Sequence, residues 1–267
     1  MKKKFKLGVI GGGFMASAIV NGAILGKRLN IKDVFISDVN ETSLEKFSKI
    51  GIKTTTDNFQ ILNSCEFVLL AVKPQNFSSI INENSNFICN KFISIMAGTK
   101  KEKIKKLLKN SLVARCMPNT PCSVGNGAVG IDVSDFTDSK DLDFIKGLFD
   151  SFSKVVFVKE ELLNVVTGIS GSAPAYYYLF AKGIIESGVK RGLSFEEAKL
   201  LAVNTMIGSG KMLLNSDQSI DELINAVCSK GGTTIEAIKV FNENKINEIT
   251  DKSIEACINR AIELENL

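Results

Sequence analysis

Apolar runs of strand length alternate with amphipathic stretches of helix length through about residue 160. The first run, with Leu7, Val9 and Ile10, leads into Gly11, Gly12 and Gly13 and then a helical segment, Phe14 to Leu25. Further strand-length runs are Val34 to Ser37, Phe67 to Val72, Phe92 to Met96, Leu112 to Met117, Ala128 to Val133 and Val155 to Val158. Helical segments fall between them, among them Ser43 to Ile50, Lys101 to Leu108 and Leu142 to Phe152. This alternation predicts a doubly wound, mostly parallel sheet with helices on both faces, binding its ligand across the carboxyl ends of the strands. From Glu160 onward the strand-like runs stop and helical periodicity takes over. Ser194 with Glu197, and Ser219 with Glu222, each set a capping hydroxyl three residues before a carboxylate, which marks two helix starts. The expected organisation is therefore an α/β domain over residues 1–160 and an all-α domain over residues 161–267, joined by a helix. Tyr177, Ile184, Ile185, Ala198, Leu201, Met206 and Leu213 give the second half more apolar positions than one small helical domain needs. Both a plain core and a subunit interface account for them.

Composition narrows the chemistry more than the fold. The 267 residues are 45% hydrophobic and 23% charged, enough for two medium domains with real cores. The net charge of +4 is spread among interspersed pairs such as Glu45 with Lys46 and Glu102 with Lys103, a solvated surface that does not call for nucleic acid. Leu7 to Gly26 carries no charge and follows Lys2, Lys3, Lys4 and Lys6, as a signal peptide would. Its six glycines, with Ser17 and Asn21, make a poor apolar anchor. No membrane association is expected, and the six cysteines, with no Cys-x-x-Cys pair, are expected as reduced thiols in a cytoplasmic protein. Histidine is absent, which removes Ser-His-Asp and Cys-His nucleophile systems and every histidine-containing metal site, so no metal is expected. Chemistry in which a cofactor supplies the reacting group survives, and hydride transfer to an imine is of that kind.

The opening strand-turn-helix carries the pattern Gly-x-Gly-x-x-Ala. Gly11 makes the tight turn, Gly13 lets the backbone approach a pyrophosphate, and Ala16 allows the helix to pack closely on the strand. The amides at the new helix start then face two phosphates. These features predict a Rossmann-like dinucleotide-binding domain. At the end of the second strand, Ser37-Asp38-Val39-Asn40 bears on cofactor choice: Asp38 suits a ribose 2′-hydroxyl, repels a 2′-phosphate, and no arginine follows. The balance leans to NADH among the NAD(P)H pair, although Ser37 and Asn40 offer groups to a phosphate.

Five further stretches make the picture specific: Ala71-Val72-Lys73-Pro74-Gln75, Ser94-Ile95-Met96-Ala97-Gly98, Arg115-Cys116-Met117-Pro118-Asn119-Thr120-Pro121, Ser170-Gly171-Ser172-Ala173-Pro174-Ala175, and the glycine turn Ser229-Lys230-Gly231-Gly232-Thr233-Thr234. In this order, and over nearly the whole chain, they resemble pyrroline-5-carboxylate reductase. The resemblance implies reduction of the cyclic imine 1-pyrroline-5-carboxylate to L-proline by NAD(P)H, the last step of proline biosynthesis. It implies Gly11, Gly13, Phe14 and Met15 along the pyrophosphate. It adds Asn58 and the loop Ala71, Val72, Lys73 and Pro74 beside the ribose and nicotinamide, with Met96, Ala97 and Asn119 completing the cofactor set. Lys73 equally fits a solvated surface lysine, and Asn119 a structural turn between prolines. Ser229 and Thr234 are the implied substrate contacts, Thr234 standing at the ring nitrogen as the catalytic hydroxyl.

The turn itself, through Gly231, Gly232 and Thr233, suits a carboxylate, because glycines expose amides where a helix begins. Helix capping by Thr233 and Thr234 is the competing account. Lys230 departs from the family, which usually carries proline there. The surplus of apolar positions in the helical domain leads to the expectation of a homodimer or higher homo-oligomer through it. Three other readings compete: a 3-hydroxyacid or other imine reductase or dehydrogenase on the same plan, a non-catalytic NAD(P) sensor, and a nucleic-acid binder. The first of these ordinarily uses a lysine near the domain junction, where this chain has Gly171-Ser172-Ala173-Pro174.

Overall fold

The computed structural model describes residues 4–80 and 86–266, so Lys2 and Lys3 of the basic leader lie outside the described residues. Strands β1 (Phe5–Ile10), β2 (Val34–Ser37), β3 (Lys53–Thr55), β4 (Cys65–Leu70), β5 (Lys91–Ser94), β6 (Leu112–Met117), β7 (Gly127–Asp132) and β8 (Ser153–Phe157) form one sheet in the order β3-β2-β1-β4-β5-β6-β7-β8. Pairing is parallel throughout except between β6 and β7. Residues Pro118 to Asn126 carry no crossover helix, so β7 folds back antiparallel beside β6. Helices α1 (Phe14–Leu25), α2 (Glu41–Ser48), α3 (Asn58–Ser64), α4 (Lys101–Leu107) and α5 (Ser139–Asp150) cover the two faces.

The central strands are apolar on both sides. Phe67 and Leu69 of β4 enter one core with Leu7, Ile19 and Phe149, while Val68 and Leu70 enter the other with Ile10, Phe35 and Phe92. β3 was not legible as a strand, since Lys53, Thr54 and Thr55 are polar and sit at the sheet edge. Leu7 to Gly26 is used as β1, the glycine turn and α1 of this sheet, and among the described residues no helix is long and apolar enough to cross a membrane.

Beyond β8 the structure is helical: α6 (Leu163–Val166), a π-turn at Thr167–Gly171, α7 (Ala173–Lys190), α8 (Phe195–Asn215), α9 (Ile220–Ala226), α10 (Thr233–Glu243) and α11 (Ile246–Glu265). Both capping boxes form, with Ser194 and Glu197, and Ser219 and Glu222, exchanging hydrogen bonds. Those bonds hold both exposed carboxyls below the ordinary glutamate range.

The change from strands to helices thus falls near residue 160, but compactness divides the chain elsewhere. One unit has the bounds Met1–Pro174 and Cys257–Leu267, the other Ala175–Ala256. The end of α11 belongs to the first unit because a buried ion network holds it there. Arg115 on β6, 4% exposed, donates to Glu160 Oε1 at 3.2 Å and to Glu265 Oε1 at 2.6 Å, and Leu264 packs against Gly98. Alongside, Lys101 donates to Asp132 and, at 2.5 Å, to Ser134, while Lys105 pairs with Asp135 at 2.5 Å. Burial alone would lower the Lys101 pKa. The Asp132 hydrogen bond and the charges of Asp132, Asp135 and Glu160 outweigh it, and the ammonium titrates above its ordinary value. Burial likewise opposes the Asp135 charge, but the hydrogen bonds from Lys105 and the Val113 amide and the nearby lysine charges hold that carboxyl below its ordinary range.

The second unit has a different character. Within Ala175–Ala256 the buried hydrophobic residues are Ala198 and Ala202 alone, while Tyr177, Leu179, Phe180, Ile184, Leu201, Met212 and Leu213 are exposed. A cavity of about 840 Å³ opens among Tyr177, Phe180, Ile184, Phe241 and Ile249. Helices with so little of their own core need apolar surface supplied from elsewhere.

Candidate functional site

The carboxyl ends of β1, β2, β4, β5 and β6 lie on one edge of the sheet, and the strand order reverses beside β1, where β2 and β4 flank it. A crevice opens at such a reversal. Gly11 lies at that reversal, directly after β1. Its amide donates to the Ser37 carbonyl at 2.8 Å, the Ala71 amide donates to the Ile10 carbonyl at 2.9 Å, and φ at Gly11 is +102°. A Cβ there would stand 2.7 Å from the Ala71 carbonyl oxygen, so only glycine fits both the dihedral and the space.

The backbone donors of the turn can be accounted for one by one. The Gly11 amide is spent on Ser37. The Gly12 amide donates to Asp38 Oδ2 at 2.6 Å. Gly13 is the N-cap of α1 and brings no side-chain cap, and a Cβ on Gly13 would meet nothing within 4 Å. The amides of Gly13, Phe14 and Met15 are therefore left at the mouth of a helix, in open space, where an anion completes them. That is the donor set a dinucleotide pyrophosphate requires. Ala16, 1% exposed, packs α1 onto the sheet.

Around this turn the other expected cofactor residues fall into two kinds. Some are exposed at strand ends: Phe14 at the helix mouth, Lys73 and Pro74 after β4, and Ala97 after β5, with Ala71 and Val72 half-buried. Others are turned into the protein. Ser37 is fully buried and donates to Asn58 Oδ1 at 2.7 Å, while Asn58 Nδ2 donates to the Ile80 carbonyl at 2.9 Å, so this pair braces β2 against the loop after β4. Met96 is 3% exposed and belongs to the core. Asn119 accepts from the Ala128 amide at 3.0 Å and donates to Ser170 Oγ at 3.3 Å, tying the end of β6 to β7 and to the π-turn. Asp38 accepts from the amides of both Gly12 and Asn40, the latter at 2.8 Å.

Sequence reasoning passed over Gly12, whose amide direction no spacing rule reports. It also passed over Ser170 as the partner of Asn119. The thiols nearby offer no nucleophile: burial pushes both Cys116 and Cys122 up, away from the thiolate. Among the described residues no group of three His, Cys, Asp or Glu side chains is arranged to hold a metal ion.

The residues expected to hold the substrate lie on the second unit, in the turn before α10. The Gly232 amide donates to the Ser229 carbonyl at 2.9 Å, φ at Gly231 is +71°, and a Cβ on Gly232 would strike the Ser229 hydroxyl. Gly232 is the N-cap, which leaves α10 without a side-chain cap. Thr233 and Thr234 are the first residues inside the helix, so neither occupies the capping position. Thr233, Ser229 and Lys230 are exposed and Thr234 is half-buried. The turn thus presents uncapped amides and hydroxyls together, a chemistry matched to a carboxylate with an adjacent polar ring atom.

Comparison with known proteins agrees over the full length. Residues 160–264 match the family described as pyrroline-5-carboxylate reductase dimerisation, and residues 6–98 match the family described as NADP oxidoreductase coenzyme F420-dependent. The pyrroline-5-carboxylate reductase of Staphylococcus aureus is 35% identical, over 98% of each chain. Solved structures are similar as well. A pyrroline-5-carboxylate reductase from Coxiella burnetii has a TM-score of 0.87 at 32% identity, covering 98% of this chain and 99% of that one. A Plasmodium falciparum pyrroline carboxylate reductase with NADP bound has a TM-score of 0.85 at 27% identity, covering 98% and 99%.

Proposed function

Because the chain belongs to the pyrroline-5-carboxylate reductase family, we propose that it reduces 1-pyrroline-5-carboxylate to L-proline with NAD(P)H, the last step of proline biosynthesis. The observation that carries this reading is the full-length match at 35% identity, which spans both the glycine turn after β1 and the turn before α10. A bound reduced nicotinamide supplies the hydride. The residues of the chain bind and orient.

Gly13, Phe14 and Met15 offer their amides to the pyrophosphate, and the exposed ends of β4 and β5, with Lys73, Pro74 and Ala97, border the nicotinamide. Met96, Ser37, Asn58 and Asn119 act by shaping those ends from within. The amides of Gly231, Gly232 and Thr233, with the Ser229 hydroxyl, take the substrate carboxylate. Thr234 holds the proton on the imine nitrogen through its hydroxyl. The carbon of the N-protonated imine is electrophilic on its own, so with the nitrogen proton retained, a hydride supplied there by a bound nicotinamide would complete the amine. Positioning carries the rate, and a chain without histidine suffices.

Asp38 at the end of β2 favours NADH over NADPH in this reading. The exposed apolar helices of the second unit are covered by another copy of the chain, in a homodimer or higher homo-oligomer, and the enzyme works in the cytoplasm.

The Thr234 assignment is tested by steady-state kinetics. Thr234→Ala is expected to lower kcat by roughly a hundredfold, the scale of a positioned proton-holding group, and Thr234→Ser to restore most of it. Unchanged kcat and KM in Thr234→Ala would remove the hydroxyl from the reaction.

A further inference from the structure

The hydrogen bond from Gly12 to Asp38 points to a role for that carboxylate beyond facing a ribose, and this inference rests on the turn being the cofactor site. We propose that Asp38 is a positioning residue for the pyrophosphate turn, so that cofactor discrimination and cofactor affinity are coupled through a single side chain. Three observations carry it. Oδ2 accepts from the Gly12 amide at 2.6 Å while Oδ1 accepts from the Asn40 amide at 2.8 Å, so both oxygens are held by backbone and the group cannot swing. Gly12 is enclosed: a Cβ built on it would lie 3.2 Å from the Phe47 ring and 3.3 Å from the Ser43 carbonyl, so on that side the turn has little room to move. Its neighbour Gly11 is pinned to Ser37, the residue before Asp38. The end of β2 therefore grips two successive amides of the turn and turns the next ones outward, toward the phosphates.

A residue that only reads the ribose would leave the Gly12 amide as protected in the alanine variant as in wild type, and NADPH, no longer repelled, would gain there as NADH weakens. A positioning residue gives another result. Asparagine keeps one oxygen to accept from Gly12 but loses the charge. Alanine loses the grip on the turn, and with it the amides of Gly13, Phe14 and Met15.

The experiment titrates the ligand-free protein with NADH and with NADPH, following nicotinamide fluorescence, and measures hydrogen exchange at the Gly12 amide without ligand. Wild type is expected to bind NADH more tightly than NADPH. Asp38→Asn is expected to hold NADH within about threefold while NADPH gains, with Gly12 still protected. Asp38→Ala is expected to lose roughly tenfold in affinity for both, the scale of one charge-assisted hydrogen bond, with Gly12 exchanging freely. Thermal melting of the ligand-free variants shows that each is folded. A gain in NADPH affinity in Asp38→Ala, with Gly12 as protected as in wild type, overturns the positioning role while leaving the cofactor site in place. Failure of the wild type to bind either nicotinamide overturns the site itself, and this inference with it.

Discussion

Gly11→Ala is expected to lower nicotinamide affinity by at least about a hundredfold and to destabilise the fold by about 2–4 kcal/mol. Two costs combine. The backbone at Gly11 has φ of +102°, outside the range an alanine adopts without strain, and the new Cβ would stand 2.7 Å from the Ala71 carbonyl oxygen and 3.0 Å from the Val72 amide. Both neighbours are backbone of the segment after β4, fixed by the bond from Ala71 to Ile10, so relief must come from the turn itself. Moving the turn displaces the very amides aimed at the pyrophosphate. Gly13→Ala supplies the contrast. Its φ is −69° and a Cβ meets nothing within 4 Å, so the ligand-free melting temperature is expected to stay within a degree or two. The methyl fills the open space before α1, and cofactor affinity is expected to fall. Urea denaturation and fluorescence titration of the two variants separate a fold effect from a site effect. Equal stability losses would show that the space before Gly13 is not open.

The second large effect concerns assembly. Ile184→Arg is expected to raise the dissociation constant between copies by about a thousandfold, roughly 4 kcal/mol, and to make melting depend steeply on protein concentration. Ile184 lines the apolar cavity of the second unit and is 45% exposed in the single chain. In an isolated chain an arginine there would reach water at little cost. Covered by a second copy, it places an unpaired charge in an apolar interface. Sedimentation velocity checks it: an unchanged oligomer at micromolar concentration would remove this face from the interface.

What the sequence made legible follows from how locally each feature is determined. The glycine turn and α1 are read to the residue, because a charge-free helix directly after three glycines leaves no other start, and α1 spans Phe14–Leu25. The capping boxes of α8 and α9 are equally local, each needing only a serine and a glutamate three positions apart. Strand β6 falls at Leu112–Met117 as expected, whereas β4 and β5 end two residues before the expected limits, with the amides of Ala71 and Ile95 making one more bond each to the neighbouring strand. β3 escapes because three polar residues at an edge carry no apolar alternation. The return of α11 to the first unit depends on Arg115 meeting Glu265, partners 150 residues apart in sequence, and no periodicity encodes such a pair. The inward turns of Ser37, Met96 and Asn119 are missed for the same reason: type and position are visible in a sequence, but direction is set by neighbours from other strands.

The central claim is that this chain passes a hydride from a reduced nicotinamide to a cyclic imine carrying a carboxylate. Its most direct measurement is the absorbance of the reduced nicotinamide when purified protein is mixed with 1-pyrroline-5-carboxylate and NADH, with the proline formed quantified in the same samples. Loss of the nicotinamide band with an equal molar yield of proline is the expected result. Tight binding of NADH with no loss of the band, at substrate concentrations that saturate the protein, would contradict it.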